Sequence, residues 1–187
     1  LLNHLRTVAE GVRVEVETTS ADSARRLAQG DFDFAVGYMP HLGAGFYQRT
    51  LSEENFVCLA ARRHPRVGTR LSHAEFMSEG HIVVTMSGTG HSIVDKALAE
   101  LKLQPNVALR LPSFLGVARI VAQTELLGVV PRGLGEACAA QEKVKVLPPP
   151  VKFPSYPVNL HWHERFHTDA GNQWIRQVMA DLFTRKG

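Results

Sequence analysis

The chain has 187 residues, 44% of them hydrophobic and 21% charged, with a formal net charge of +3. That is an ordinary globular composition, long enough for one large core or two small ones. No apolar run approaches the ~20 residues of a membrane helix, and the basic residues fall in isolated pairs (Arg25–Arg26, Arg62–Arg63, Arg185–Lys186) rather than in the dense stripe of a nucleic-acid surface.

"LLNHLRTVAEG" opens the chain with apolar residues at helical spacing and a terminating Gly11. It has neither the apolar h-region nor the small-residue cleavage site of a signal peptide. "VRVEVET" then alternates Val12, Val14 and Val16 with charged residues, the pattern of a half-buried strand. "TTSADSARRLAQGD" reads as a loop with Ser20 as N-cap, a short helix and a Gly30 stop. "FDFAVGY" is a second strand, and another is expected around residues 56–61. "SHAEFMSE" opens with a capping box, Ser72 with Glu75.

The pattern repeats. "HIVVTM" is a strand, 91–102 a helix, "VALRL" a strand, 113–123 a helix, "LLGVV" a strand, 132–141 a helix and "VKVL" a strand. "PPPVKFPSYP" is an extended crossover, "VNLHWHE" a strand and 168–184 a terminal helix. In that helix Trp174, Ile175, Val178, Met179, Leu182 and Phe183 are expected to form a buried stripe. Such alternation predicts parallel sheets flanked by helices, in two successive α/β units of about 1–65 and 70–148 with a small-molecule cleft between them.

Several stretches carry candidate chemistry. In "SGTGH" the glycines free the backbone at a helix entry, where N–H groups and the dipole attract anions; Thr89 and His91 add donors. Plain capping by Ser87 or Thr89 explains the same residues. "TTSAD" is a comparable entry, with Ser20 either facing a ligand or only capping. In "GYMP", Tyr38 and Met39 offer an aromatic face and a soft wall, or else core. Arg132 in "VPRGLGE" suits a bidentate carboxylate or a surface ion pair.

His161 and His163 share one strand face but lack a third metal ligand of obvious spacing, so His161 is expected to tune a polar contact at the cleft while Trp162 packs in the core. Cys58 and Cys138, in apolar contexts without CxxC, read as free thiols of a reducing compartment, with a disulfide or reactive thiol as alternatives. No G-x-S-x-G elbow, Walker loop or suggestive carboxylate pair is present, and His91 beside Ser87 or Ser92 lacks an orienting third group. No enzyme and no cofactor is expected.

"LAQGDFDFAVGYMP", followed in order by "CLAARRHP", "GTGHSIVD", "LLGVVPRGLGE" and "HWHERFHTDAGNQWIRQVMADLF", resembles the regulatory half of LysR-type transcriptional regulators over essentially the whole chain. The GTGH piece and the histidine-rich tail are most similar to the branch governing aromatic-compound degradation, responsive to salicylate-like or nitroaromatic effectors, with NodD-type flavonoid sensors as neighbours.

The resemblance implies an α/β, two-lobe fold like that of type 2 periplasmic binding proteins. Lobe I would hold 1–68 plus 158–187, lobe II 69–150, with 151–157 as the return crossover. The strand that precedes the opening helix in the family is not found in these residues: either lobe I lacks it or a preceding stretch supplies it. It also implies an absent N-terminal winged helix-turn-helix that binds operator DNA, a homodimer or tetramer, RNA polymerase as a further partner, and a cytoplasmic location. The small aromatic effector, an acid, would meet Ser20, Tyr38, Met39, Asn55, Ser87, Thr89, Gly90, His91, Arg132, Gly133 and His161. Asn55 enters this set through the family alone. Salicylate-responsive members place an arginine one position after Arg132, where this chain has Gly133; one position at a helix start turns a side chain by about 100°. The rival readings are a transporter's solute receptor of the same fold and a lobe-type enzyme of the porphobilinogen-deaminase kind, which would need a nucleophile or cofactor-linked cysteine.

Overall fold

A computed structural model describes residues 1–85 and 91–183, and of residue 91 the backbone only. The chain divides into two compact units: Leu1–Glu53 with Pro157–Gly187, and Glu54–Tyr156. No helix among the described residues is long and apolar enough to cross a membrane.

Unit 1 opens with α1 (Leu2–Val8), which buries Leu5. The alternating stretch that follows is not a strand. Val12, Val14 and Val16 are 48, 40 and 87% exposed, and no ladder is formed there. Alternation only predisposes a segment to pair. A strand needs a neighbour for its N–H and C=O groups, and the sheet of this unit offers none to these residues.

The next helix, α2 (Ser23–Gln29), starts later than the sequence suggests, with Asp22 and not Ser20 at its N-cap. Ser20 instead forms a local turn: its Oγ accepts from the Asp22 amide and its own amide donates to Ser23 Oγ. Gly30 ends α2 in the left-handed conformation (φ 89°), as expected of a glycine there.

Strand β1 is only Ala35–Gly37, because its pairing with the return strand covers just three residues. β2 (Phe46–Glu54) is a strand that hydrophobic patterning missed. With β8 (Tyr156–His163) the sheet order is β1-β8-β2, so β2 lies at the edge; it buries only Leu51 fully, and its residues are largely polar. β8 (Tyr156–His163) is the central strand, antiparallel to β1 with Ala35 opposite His161. Leu51, Leu160 and Trp162 pack with Met179 of the last helix, as foreseen for Trp162.

That helix, α7 (Ala170–Phe183), buries only part of the stripe its sequence suggests: Met179 is in the core and Ile175 packs against it. It buries Asn172, Arg176, Met179 and Ala180 and leaves Trp174, Leu182 and Phe183 41, 37 and 46% exposed. Arg176 belongs to the buried face: its guanidinium lies 4.3 Å from the Trp162 ring centroid and donates to the His167 carbonyl.

Unit 2 holds β3 (Phe56–Ala61), α3 (His73–Ser78), β4 (Gly80–Val84), α4 (His91–Glu100), β5 (Asn106–Leu111), α5 (Val117–Gln123), β6 (Leu127–Pro131), α6 (Arg132–Ala139) and β7 (Val144–Leu147). α3 carries the expected capping box, Ser72 and Glu75 each bonding the other's backbone. The sheet order is β5-β4-β6-β3-β7. It is mixed, not parallel: β4 pairs parallel with β5 and β6, while β3 runs antiparallel to β6 and β7. The helical crossovers around β4–β6 impose the parallel half, whereas β3 enters from the other unit and takes the opposite direction.

The core of unit 2 joins Val57, Leu59, Ile82, Val84 and Val130 from the sheet to Val117, Ala118 and Val121 of α5. Each fully buried Val or Leu contributes about 1.5–3 kcal/mol. The proline-rich return is irregular yet packed: Val151 and Phe153 are buried, and Phe153 and Tyr156 both meet the Phe56 ring.

Candidate functional site

In unit 2 the antiparallel register sets Phe56 of β3 against Pro131 of β6. One step beyond this pair, Asn55 faces Arg132, the first residue of α6. The Arg132 amide donates to the Asn55 carbonyl at 2.8 Å and its Nε donates to Asn55 Oδ1 at 2.7 Å. Arg132 Nη1 also reaches Glu136 Oε1, one helical turn on, at 3.4 Å.

Glu54 completes the corner. Its Oε1 accepts from the Asn55 amide at 3.0 Å and its Oε2 from the Gly133 amide at 3.2 Å. A carboxylate thus already occupies a free amide of the α6 N-terminus, where the helix dipole favours negative charge. Gly133 makes this approach available: a Cβ there would lie 3.1 Å from Glu54 Oε2. The departure at this position therefore has a local structural consequence, the seating of Glu54.

Asn55, Arg132 and Gly133 are hence brought together, although the first two stand 77 positions apart. Arg132 and Asn55 are exposed, so their remaining N–H groups are donors that solvent or a ligand can reach. Glu54 escaped sequence reasoning. The acidic run "SEEN" points to nothing until β3 is known to run antiparallel to β6.

Unit 1 gathers a second subset. His161 is 1% exposed, and its Nε2 lies 3.4 Å from the Gly37 carbonyl. Burial is the main cause that holds its pKa below the usual histidine value. Any tuning by this residue therefore passes through the β1 backbone. Tyr38 is half-buried and follows β1 directly. Met39 is 3% exposed and packs in a small cluster with Leu27 and Ala35, so it is core. Ser20 is exposed at the turn before α2. His163 is occupied locally, its Nδ1 accepting from the Arg165 amide and its ring meeting Phe46 edge-on. Ser87, Thr89 and Gly90 lie outside the described residues, as does the side chain of His91, whose backbone begins α4.

The two cysteines are free. Burial pushes the Cys58 thiol up to about 12, well above the range in which a thiolate would be reactive at neutral pH.

Comparison with known proteins supplies what geometry alone does not. The family model for the LysR substrate binding domain matches residues 1–184. The HTH-type transcriptional activator NahR of Pseudomonas putida is 37% identical over 169 residues, covering 90% of this chain and 56% of that protein. The HTH-type transcriptional activator NagR of a Ralstonia species is 32% identical over 158 residues, covering 84% of this chain and 52% of that protein. The chain thus spans about half the length of these relatives. Among solved structures, the regulatory domain of MexT, a transcriptional activator in Pseudomonas aeruginosa, superposes with a TM-score of 0.84 at 22% identity, covering 97% of this chain and 90% of that one. Fold and sequence agree: the architecture is the type 2 periplasmic-binding-protein-like fold, and the chain belongs to the LysR substrate-binding domain family.

Proposed function

We propose that this chain is the effector-sensing part of a LysR-type transcriptional regulator and that its effector is a small aromatic acid. The observation that carries the reading is the entry to α6, where Asn55 steadies the Arg132 guanidinium at the positive end of a helix. A planar guanidinium with a neighbouring amide suits a carboxylate. The effector carboxylate meets the outer N–H groups of Arg132 and Asn55, since Glu54 already takes the Gly133 amide.

Ser87, Thr89, Gly90 and, at the start of α4, His91 are proposed as further contacts of unit 2. Met39 and His161 are buried within unit 1 and are not proposed as direct contacts. Family membership and the resemblance to the aromatic-responsive branch support this assignment. In the intact protein a winged helix-turn-helix binds operator DNA, and a homo-oligomer transmits the signal. Such transmission requires the effector to prefer one conformation, because equal affinity for two shifts nothing.

The test is a thermal-shift screen of the intact regulator with benzoate, salicylate, chlorinated and nitrated phenols and flavonoids. At least one aromatic acid raises the Tm by ligand linkage, and Asn55→Ala, Arg132→Gln and His91→Ala each weaken the response about tenfold, the scale of one charge-assisted hydrogen bond. The reading fails if no acid shifts the Tm, or if Arg132→Gln and Asn55→Ala respond like the parent protein.

A further inference from the structure

Unit 1 contains a hollow of about 330 Å³ lined by Arg49, Trp162, His167, Gln173, Arg176 and Gln177. That volume lies at the lower end of the range of small-molecule sites. None of these residues belongs to the corner around Arg132.

Arg176 is the unusual member. It is 7% exposed, and its Nη1 has no hydrogen-bond partner among the described residues. Its Nη2 donates to the His167 carbonyl at 2.8 Å, and its guanidinium stacks on Trp162. No carboxylate forms an ion pair with it among the described residues. Asp169 is the nearby acidic group, and its Oδ1 is engaged by the Asn172 amide at 2.7 Å. A guanidinium removed from water with one nitrogen unpaired is costly unless something anionic pairs with it.

The remaining lining fits an anion with a flat body. Arg49 brings a second positive charge from β2 and holds the Gln177 side chain at 3.2 Å. Gln173 Nε2 donates to the His167 carbonyl at 3.2 Å. The aromatic wall is rigid: Trp162 Nε1 donates to His167 Nδ1 at 3.2 Å, and His167 stacks on Tyr47 with ring centroids 3.9 Å apart. We propose that this hollow is an oxyanion-binding site of unit 1, with Arg176 Nη1 and Arg49 as its donors and Trp162 as its aromatic wall. Its occupant is a small carboxylate or an inorganic oxyanion, two sources of one chemistry.

The experiment is a tryptophan-emission titration of the intact regulator with sodium benzoate and, separately, sodium sulfate, each replacing chloride at constant ionic strength. Trp162 borders the site and reports its occupancy when every variant also carries Trp174→Phe, which removes the other tryptophan of the chain. A saturable emission change is expected that Arg176→Met abolishes and Arg49→Gln weakens about tenfold. Saturation at lower benzoate than sulfate identifies an organic carboxylate as the occupant; the reverse order identifies an inorganic oxyanion. Arg49 is exposed, so Arg49→Gln keeps the test valid even where Arg176→Met fails to fold. Absence of a saturable change with both probes overturns the proposal, as does an Arg49→Gln titration within twofold of the parent. The Arg49 and Arg176 variants leave Asn55 and Arg132 in place, so loss of this response is separable from the Asn55 and Arg132 thermal shifts.

Discussion

Among single residues, the buried ionisable groups away from either site govern how this fold answers to acid. His81 is 3% exposed, donates through Nε2 to the Phe76 carbonyl at 2.6 Å and meets the Phe76 ring edge-on. Burial lowers its pKa from the ordinary 6.5, and the hydrogen bond to the Phe76 carbonyl and nearby Glu79 only partly offset this. A depressed folded-state pKa means that stability is fully present above the unfolded value and is lost as pH falls through the folded one. Glu79 has the same sign in a lower window. The Arg66 guanidinium grips it at 2.6 and 2.7 Å and holds its carboxyl below the ordinary 4.5. Two separate losses are therefore expected in a Tm-against-pH series, one below pH 6.5 and one below pH 4.5. His81→Gln reduces the first, to which buried His161 also contributes, and Glu79→Gln reduces the second; a parent Tm constant from pH 7 to 5, about one unit either side of the histidine value, would refute the histidine argument.

Two contacts show how elements are started and fitted. The capping box of α3 satisfies two otherwise orphaned amides, with Glu75 Oε2 accepting from the Ser72 amide at 2.7 Å and Ser72 Oγ from the Glu75 amide at 3.2 Å. Ser72→Ala should lower the unfolding free energy in urea by about 1 kcal/mol. In α6, Gly135 lets the helix lie directly on β3: an added Cβ would stand 2.7 Å from Val57 Cγ2 and 3.2 Å from Val130 Cγ2. Replacing glycine by alanine inside a helix ordinarily gains about 1 kcal/mol of propensity. Overpacking costs about 1–3 kcal/mol, so Gly135→Ala is expected to be net destabilising by about 1 kcal/mol. A denaturation midpoint raised by this substitution would show that α6 can shift away from β3 without loss.

Across the whole molecule, the two units differ in how their backbone is secured. The ladders of β3, β4 and β6 lie inside a five-stranded sheet beneath α5, whereas residues 12–20 have no ladder at all. Hydrogen exchange should therefore be slowest in β3, β4 and β6 and fast across 12–20, because protection follows burial and cooperative opening. Slow exchange at Val14 and Val16 would reveal pairing in solution that this structure does not contain.

Most of the elements could be read directly from the chain, for reasons that are local. Periodicity marks α1, α5 and α6, Ser72 with Glu75 marks α3, and Gly30 stops α2. The family could be read from motifs spread over the whole length, as the family match from 1 to 184 bears out. What could not be read depends on partners remote in sequence. Whether Val12–Val16 pairs, which way β3 runs and which face of α7 is buried are decided by neighbours, not by the segments themselves. The same holds for the sites. Arg132 stood out in the sequence and Asn55 entered through the family resemblance, but only the antiparallel β3–β6 register sets one against the other, with Glu54 beside them. Nothing in the sequence marks Arg176; the fold buries it against Trp162 and leaves one of its nitrogens without a partner among the described residues. Local stereochemistry is written in neighbouring residues, whereas burial and pairing of charge arise only when distant segments meet.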